Sequence, residues 1–510
     1  MSQALTAYTL YTKNNGGRII VFFLLFLLAL YEFYKMGLTG YAAVCMAPVI
    51  VLIFYVALKF PMGLFWFLFF ANYFVMGSMR YFSLPIPVTV IIELPQILLL
   101  MVILITSSTR PQDFSPKYGT PMLLAIGIWT TFLILQVFNQ TCQLPVSYSS
   151  WLLNVNNYSF TFLFTYFIVT SFINRPERIL KFLRLWAYFS ILASFWAFRQ
   201  KTFGWDATES AWLAAGGART HIIGGAIRYF SFFTDAANFG CNMGSSAVAF
   251  YIAAITTQIK KDKLLFIIAA LISTYGMFTS GTRSALFCFL VGVFLYIFLS
   301  KNIKIATIVT ILGAAFVFFL AGTNIGNNNI LIRRMRTAFD PNDKSKGARD
   351  INKETLRKYL KDAPFGLGFN IDEDRIPAFH KYKVVQQTPN DSTYVFFWQR
   401  TGIVGLCVYA GMNIIILLGG SFIVFFIVKN RRAKGVGAAF CCAFLGINAG
   451  GYANHIMLQF PNLMLFYGGM AIVYLLPSIE GKFEEYEQKL FEEQEERKRL
   501  KLEKKKASRV

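Results

Sequence analysis

The chain has 510 residues, of which 56% are hydrophobic, 17% aromatic and only 15% charged, against roughly a quarter charged in a soluble domain. That balance excludes an ordinary soluble globular protein. The net charge of +23 does not point to nucleic acid, because most Lys and Arg lie in short intervals between apolar runs, where the positive-inside rule accounts for them. Seven scattered cysteines, with no CxxC pair, set neither a disulfide framework nor a metal site.

In chain order, apolar runs fall near 19–35, 40–58, 61–79, 85–106, 120–138, 155–173, 184–200, 237–257, 264–280, 284–300, 305–322, 403–428, 436–455 and 460–477. Runs of this length carry a helix across roughly 30 Å of hydrocarbon. The expectation is an all-α polytopic membrane protein of about 14 transmembrane helices over residues 1–477, followed by a charged cytoplasmic helical tail over 478–510. The N-terminal MSQALTAYTLYTKNNGGR has no cleavable signal pattern, since the run from Ile19 is full-length and no small-residue cleavage site follows it. Lys59, Arg110, Lys117, Arg175 to Arg184, Lys260 to Lys263, Lys301, Lys304 and Lys429 to Lys434 occupy alternate loops, which makes both termini cytoplasmic.

The other loops then face outward, and two are long: 201–236 and 323–393. Irregular backbone exposed to lipid is too costly, so these loops sit above the bilayer or line a watery cavity, and a site is expected there. The second contains the longest polar interval of the chain, ARDINKETLRKYLKDAPFGLGF and then TPNDSTYVFFWQRTGIVGL. The tail EGKFEEYEQKLFEEQEERKRLKLEKKKASRV reads as a solvated helix, acidic early and basic late, whose basic end suits anionic headgroups.

Three arginine clusters converge on the outward face in this topology: Arg228 in AIRYFSFFTDAANFG, Arg283 in FTSGTRSALF, and Arg349 with Arg357 and the Arg333-Arg334-Arg336 run. A guanidinium is a rigid fork of donors matched to phosphate, so together they make a candidate pyrophosphate clamp. Arg283 breaks an apolar stretch, where a charge is costly and functional by default. The three histidines, His221, His380 and His455, all fall on the outward side and could serve as bases. The Asp372-Glu373-Asp374-Arg375 run could hold a divalent cation, but reads better as a solvated loop. Gly366-Leu367-Gly368 after Pro364 reads as a tight turn. No zinc ligand set, Walker loop or GxGxxG fingerprint is present.

The series Arg228-x-x-Ser231, Asp235-Ala-Ala-Asn238, Ser280-Gly-Thr-Arg283, Arg349, Ala363-Pro-Phe-Gly-Leu-Gly368, Asn390-Asp391-Ser392 and Gly402-Ile-Val-Gly405 resembles the O-antigen ligase and O-antigen polymerase superfamily over roughly residues 224–410. The resemblance implies a multi-helix (GT-C-like) membrane glycosyltransferase of the bacterial inner membrane, working without metal or cofactor on its periplasmic side. Its donor would be an undecaprenyl-pyrophosphate-linked glycan and its acceptor a hydroxyl, with chain-length regulator and flippase proteins as possible partners. Arg228, Arg283 and Arg349 would hold the pyrophosphate, and Asn390, Ser392, Gly402 and Gly405 would position the acceptor or the loop. Family ligases place a histidine nine residues and one further position ahead of the Gly-x-x-Gly, and here Asp391 stands in its place. Asp391 is then the expected catalytic residue, with His380 and His455 as alternatives. Fourteen helices and the missing histidine favour a polymerase of O-antigen, capsule or exopolysaccharide repeats over a ligase acting on lipid A core or protein; a flippase moving the same lipid is the reading from another class.

Overall fold

The computed structural model describes Tyr31 and residues 52–82, 88–109, 118–223, 226–339 and 344–507. The runs near 19–35 and 40–58 lie outside the described residues, apart from Tyr31 and residues 52–58. Each of the other twelve is met by a helix: α1 Pro61–Tyr81, α2 Val88–Thr109, α3 Thr120–Leu135, α4 Thr161–Phe172, α5 Pro176–Phe203, α6 Ala236–Thr256, α7 Lys260–Thr279, α8 Arg283–Leu299, α9 Ile303–Gly322, α10 Thr393–Phe422, α11 Arg431–Ala453 and α12 Gly468–Ala507. Eight described helices are long and apolar enough to cross a membrane, and α2, α8 and α9 supply shorter apolar segments. The chain is a helical polytopic membrane protein; among the described residues the strands are one two-residue hairpin, Ile222–Ile223 with Ala226–Ile227.

Composition decides which helices are central. In lipid there is little hydrophobic drive between helices, so close backbone approach through small residues does the packing. The α6 segment AANFGCNMGSSAVAF and the α11 segment GVGAAFCCAFLGINAGG are rich in such residues. They are correspondingly 83% and 78% buried, against 33% for the leucine- and isoleucine-rich α10.

At one end of the bundle Asp262 joins Arg184 (2.8 Å) and Arg432 (3.3 Å). Beside it the carboxylate of Glu480 accepts the backbone N–H groups of Lys429 and Asn430. Loops separated widely in sequence but alike in basic charge therefore meet at one end, and α12 leaves from there as one continuous helix into the charged tail.

The opposite end carries both long loops. Residues 204–223 and 226–235 fold on Phe230: the Trp205 ring stacks on it at 5.0 Å, Trp212 lies 4.9 Å away, and the Arg80 guanidinium covers Phe230 and Trp212. The two tryptophans thus pack a loop core. In the large loop the helices Lys344–Leu360 and Lys383–Gln387 pack around Leu356, Leu360, Ala363, Leu367, Ile371, Ile376 and Val385, with Cys142 from the 139–147 segment, while the helix Ile330–Arg336 packs on the bundle through Met335. This small core was hidden in the sequence because its apolar residues are diluted among charges.

Candidate functional site

The turn Ser280-Gly281-Thr282 ends α7 and starts α8, and two arginines from separate loops close on it. Arg334 donates through Nε to the Gly281 carbonyl (2.6 Å), and Arg228 through Nη2 to the Thr282 hydroxyl (2.8 Å). The Thr282 hydroxyl donates in turn to the Ala236 carbonyl (3.0 Å), so the amino ends of α6 and α8 lie side by side. Helix amino termini carry partial positive charge, and Arg283, the first residue of α8, adds a guanidinium that reaches Thr337 (3.3 Å). Asp235 offers limited relief, because its Oδ1 caps α6 by accepting from Ala237 and Asn238. Burial pulls the Arg228 pKa down to about 10, and Arg334 and Arg283 push it the same way. Arg228 still stays charged at neutral pH. The chain has gathered like charges beside two helix amino ends, an arrangement that an anion stabilises.

The 454–462 segment, between α11 and α12, runs past this corner. Asn454 donates to Ser284 (2.5 Å) and its carbonyl accepts from the Thr393 backbone, so it joins the residue after Arg283 to the residue after Ser392. Gln459 accepts from Thr234, while Asn462 bonds Asn238 and Asn242 of α6. His455 sits half-buried with its ring 4.6 Å from Phe396, and among the described residues its Nδ1 is buried without a hydrogen-bond partner.

The other two histidines are engaged at both ring nitrogens. His221 donates through Nδ1 to the Gly217 carbonyl (2.8 Å) and accepts at Nε2 from Ala236 N–H (3.2 Å). His380 bonds the Cys142 carbonyl through Nε2 (3.1 Å) and accepts from Tyr382 N–H at Nδ1 (3.2 Å), within the loop core.

Burial holds the His455 pKa down at about 4, opposed only weakly by Asp235, and burial lowers His221 as well. An unfolded chain takes up these protons near 6.5, the ordinary value, whereas the folded protein resists until about 4 at His455. Stability from His455 is therefore complete above 6.5 and is lost as pH falls from there toward 4. Thermal unfolding in detergent across this range is expected to show a steeper decline in wild type than in His455→Gln; equal slopes would refute the assignment.

Asp391 lies elsewhere on the same face. It lines a narrow cleft with Arg349, Asn352, Lys353, Ser392 and Tyr452, and the Lys353 ammonium reaches the Tyr452 hydroxyl (3.1 Å). Ser392 caps α10 by accepting from Val395 N–H (3.0 Å), while Asn390 and Asp391 are exposed. Of the expected arginines, Arg228 and Arg283 meet at the α8 turn; Arg349 is found in the Asp391 cleft. Arg334, named in the sequence only as part of a basic run, is the further member of the α8 corner. Its register against Gly281 depends on the fold of the large loop, which periodicity does not reveal.

Gly402 and Gly405 belong to the scaffold of this cleft. Gly402, at φ 65°, kinks α10 where the 364–368 turn docks, with Leu367 and Gly368 N–H donating to the Gln399 and Arg400 carbonyls at 2.9 and 2.8 Å. Gly405 packs on Thr401 and Phe132. The acidic run is tied down: Glu373 pairs with Arg400 of α10, Arg375 with Asp372 (3.1 Å), and Asp372 accepts from Asp374 N–H. Among the described residues no group of three or more His, Cys, Asp or Glu side chains is placed to hold a metal ion.

These features define a polytopic membrane protein with a cationic corner and a polar cleft on one face. Residues 268–410 match the family model described as O-antigen ligase, which places that segment of the chain in the O-antigen ligase superfamily. The match spans Arg283, Arg334, Arg349, Asp391 and the Gly402–Gly405 motif, while Arg228 and His455 fall outside it. No curated protein matches the sequence.

Proposed function

We propose that the protein is a glycosyltransferase that moves an undecaprenyl-pyrophosphate-linked oligosaccharide onto a sugar hydroxyl at the periplasmic face of a bacterial inner membrane, polymerising O-antigen, capsule or exopolysaccharide repeats. The 1–477 bundle with its outer loops is the catalytic unit and 478–510 its cytoplasmic tail. The observation that carries this reading is the meeting of Arg228, Arg283 and Arg334 at the amino ends of α6 and α8. The acceptor oxygen attacks the anomeric carbon, the bond from that carbon to the pyrophosphate oxygen breaks, and the leaving pyrophosphate receives its charge stabilisation from preorganised donors.

The acceptor proton goes to Asp391, exposed in the cleft, or to His455, whose Nδ1 is without a partner among the described residues. Burial keeps His455 neutral at working pH and so able to accept a proton, but the pKa of about 4 makes it a weak base. Loss of a general base costs about 10²- to 10⁴-fold in rate. Asp391→Ala and His455→Ala should therefore separate cleanly in steady-state turnover, with Asp391→Ala expected to carry the larger loss and a near wild-type Asp391→Ala moving the role to His455.

The family description, O-antigen ligase, favours as a second reading transfer to lipid A core or a protein. Purified protein in defined lipid, given a labelled carrier-linked repeat, is expected to build a ladder of longer carrier-linked chains. Single transfer to a separate acceptor alone indicates the ligase. Movement of intact donor across the vesicle without bond formation sinks the transferase reading.

A further inference from the structure

The cleft that holds Asp391 carries more positive than negative charge, and its charges do not cancel one another. Arg349 and Lys353 face it from the helix Lys344–Leu360, and Asp391 faces it from the segment ahead of α10. Among the described residues neither Arg349 nor Asp391 has a hydrogen bond or an ion pair, although both line the same narrow space. Leu356 and Leu360 continue the stripe of Arg349 and Lys353 at helical spacing, and both are buried in the loop core. That burial fixes the rotation of the helix and aims the basic pair toward Pro389, Asp391 and Ser392. Lys353 donates to the Tyr452 hydroxyl (3.1 Å) and lies 4.7 Å from the centre of its ring, which holds the ammonium in place without neutralising it. Arg357, by contrast, is paired with Glu354 (3.1 Å).

Resting on the transferase reading, we infer that this cleft recognises a carboxylate on the acceptor sugar, as in a uronic acid. Arg349 and Lys353 hold the carboxylate, and a hydroxyl of the same sugar reaches Asp391. The free interior of the cleft is about 10 Å³, room for about one water-sized group, so a small anionic group enters while the sugar ring stays at the mouth. A bridging phosphate, tetrahedral and substituted on both sides, fits that space less well. The guanidinium fork matches a carboxylate, and the second cation offsets the repulsion between that carboxylate and Asp391. Cations that face water or lipid headgroups are ordinary at a membrane surface. What singles out this place is that two cations and a carboxylate are held in one cleft with Arg349 and Asp391 each unpaired. A neutral sugar leaves the basic pair without a counter-charge, and an acidic sugar supplies it.

The repeat oligosaccharide, released from its carrier by mild acid, can accept but not donate, so it reports on the acceptor site alone. Labelled carrier-linked donor is held constant, and the released repeat is compared with the same repeat after carbodiimide and borohydride reduction, which turns each carboxylate into a primary alcohol. Reduction is expected to raise the acceptor KM by at least about tenfold, the size that follows loss of a hydrogen bond to a charged group. Removal of any phosphate by cold hydrofluoric acid is expected to leave KM unchanged. Lys353→Met should raise KM for the native acceptor and narrow the ratio between the two forms, and Lys353→Arg should restore it. Lys358→Met, which removes an exposed charge from the same helix outside the cleft, should keep the wild-type ratio. A repeat without a carboxylate by composition, equal KM before and after reduction, a wild-type ratio in Lys353→Met, or a rise in KM on dephosphorylation alone each overturns the inference. Failure of wild type to transfer to either form counts against the transferase reading and leaves the cleft to equilibrium binding of the two forms on purified protein. Tighter binding of the native form that Lys353→Met removes upholds the carboxylate site, and equal binding rejects it.

Discussion

Arg283→Ala is expected to lower kcat/KM for the carrier-linked donor by about 10²- to 10³-fold, the loss that follows removal of one preorganised donor to a developing oxyanion, while membrane insertion and thermal stability stay near wild type. Arg283 is the first residue of α8 and points its guanidinium at the Thr337 carbonyl and hydroxyl, so no helix interior depends on it. Arg334→Ala should fall in the same range. Their double variant should lose less than the product of the single losses, because both would hold one leaving group. Arg283→Lys restores the charge but not the planar fork, and is expected to recover part of the rate. Arg349→Ala provides the contrast. It shares a cleft with Asp391, so its effect should appear in KM for the acceptor; a raised KM for the donor would instead join it to the diphosphate site. Steady-state kinetics with donor and acceptor varied separately, on protein matched by unfolding temperature, decides among these outcomes.

Much of the membrane architecture was written in the sequence, since hydropathy reports directly on the cost of burying polar groups in lipid. Every apolar run from residue 61 onward corresponds to a helix. Boundaries were less legible: α10 begins at Thr393, ten residues before the apolar run near 403, because Trp398, Gln399, Arg400 and Thr401 dilute the hydropathy of its first turns. The 155–173 run is shared between Tyr148–Val155, a wide turn over Asn156–Phe160, and the twelve-residue α4, a division that side-chain polarity at Asn154, Asn156 and Asn157 marks only faintly.

The site was legible as a set of residue types and not as a map. Guanidinium chemistry singled out Arg228 and Arg283, and an internal break in an apolar run made Arg283 conspicuous. Nothing in local sequence could tell that Arg334, rather than Arg333 or Arg336, faces Gly281, since that choice is made by the tertiary placement of the short helix Ile330–Arg336. The 454–462 segment was read only through His455. Its polar interruption, Asn454, Gln459 and Asn462, was the available signal, and it is these side chains that tie α6, α8 and α10 together at the site.

Gly402→Ala is expected to undock the large loop and to abolish activity without touching a substrate-binding side chain. Gly402 has φ 65° and ψ −170°, a region that costs a non-glycine residue about 1–3 kcal/mol. A Cβ there would also collide with the Pro364 carbonyl and the Gly366 nitrogen. Those atoms are backbone, so no rotamer change relieves the collision. Gly366, at φ 69°, is the reciprocal case, its added Cβ falling 2.6 Å from the Arg400 carbonyl carbon. Separation of the two strands of chain forfeits three hydrogen bonds, from Leu367, Gly368 and Val404 N–H to Gln399, Arg400 and Pro364 carbonyls, each worth about 1 kcal/mol net. Strain and lost bonds together reach several kcal/mol, a large share of the 5–15 kcal/mol that stabilises a typical domain. The cut should appear as faster proteolysis within 361–392 and a lowered unfolding temperature. The Asp391 cleft disappears with it, because Ser392 and Val395 ride on the first turn of α10. Gly411→Ala is the control on the same helix: its Cβ meets nothing within 4 Å, so protease resistance and activity should stay at wild-type levels. Protease resistance retained in an inactive Gly402→Ala variant would place the glycine requirement in substrate contact instead of loop docking.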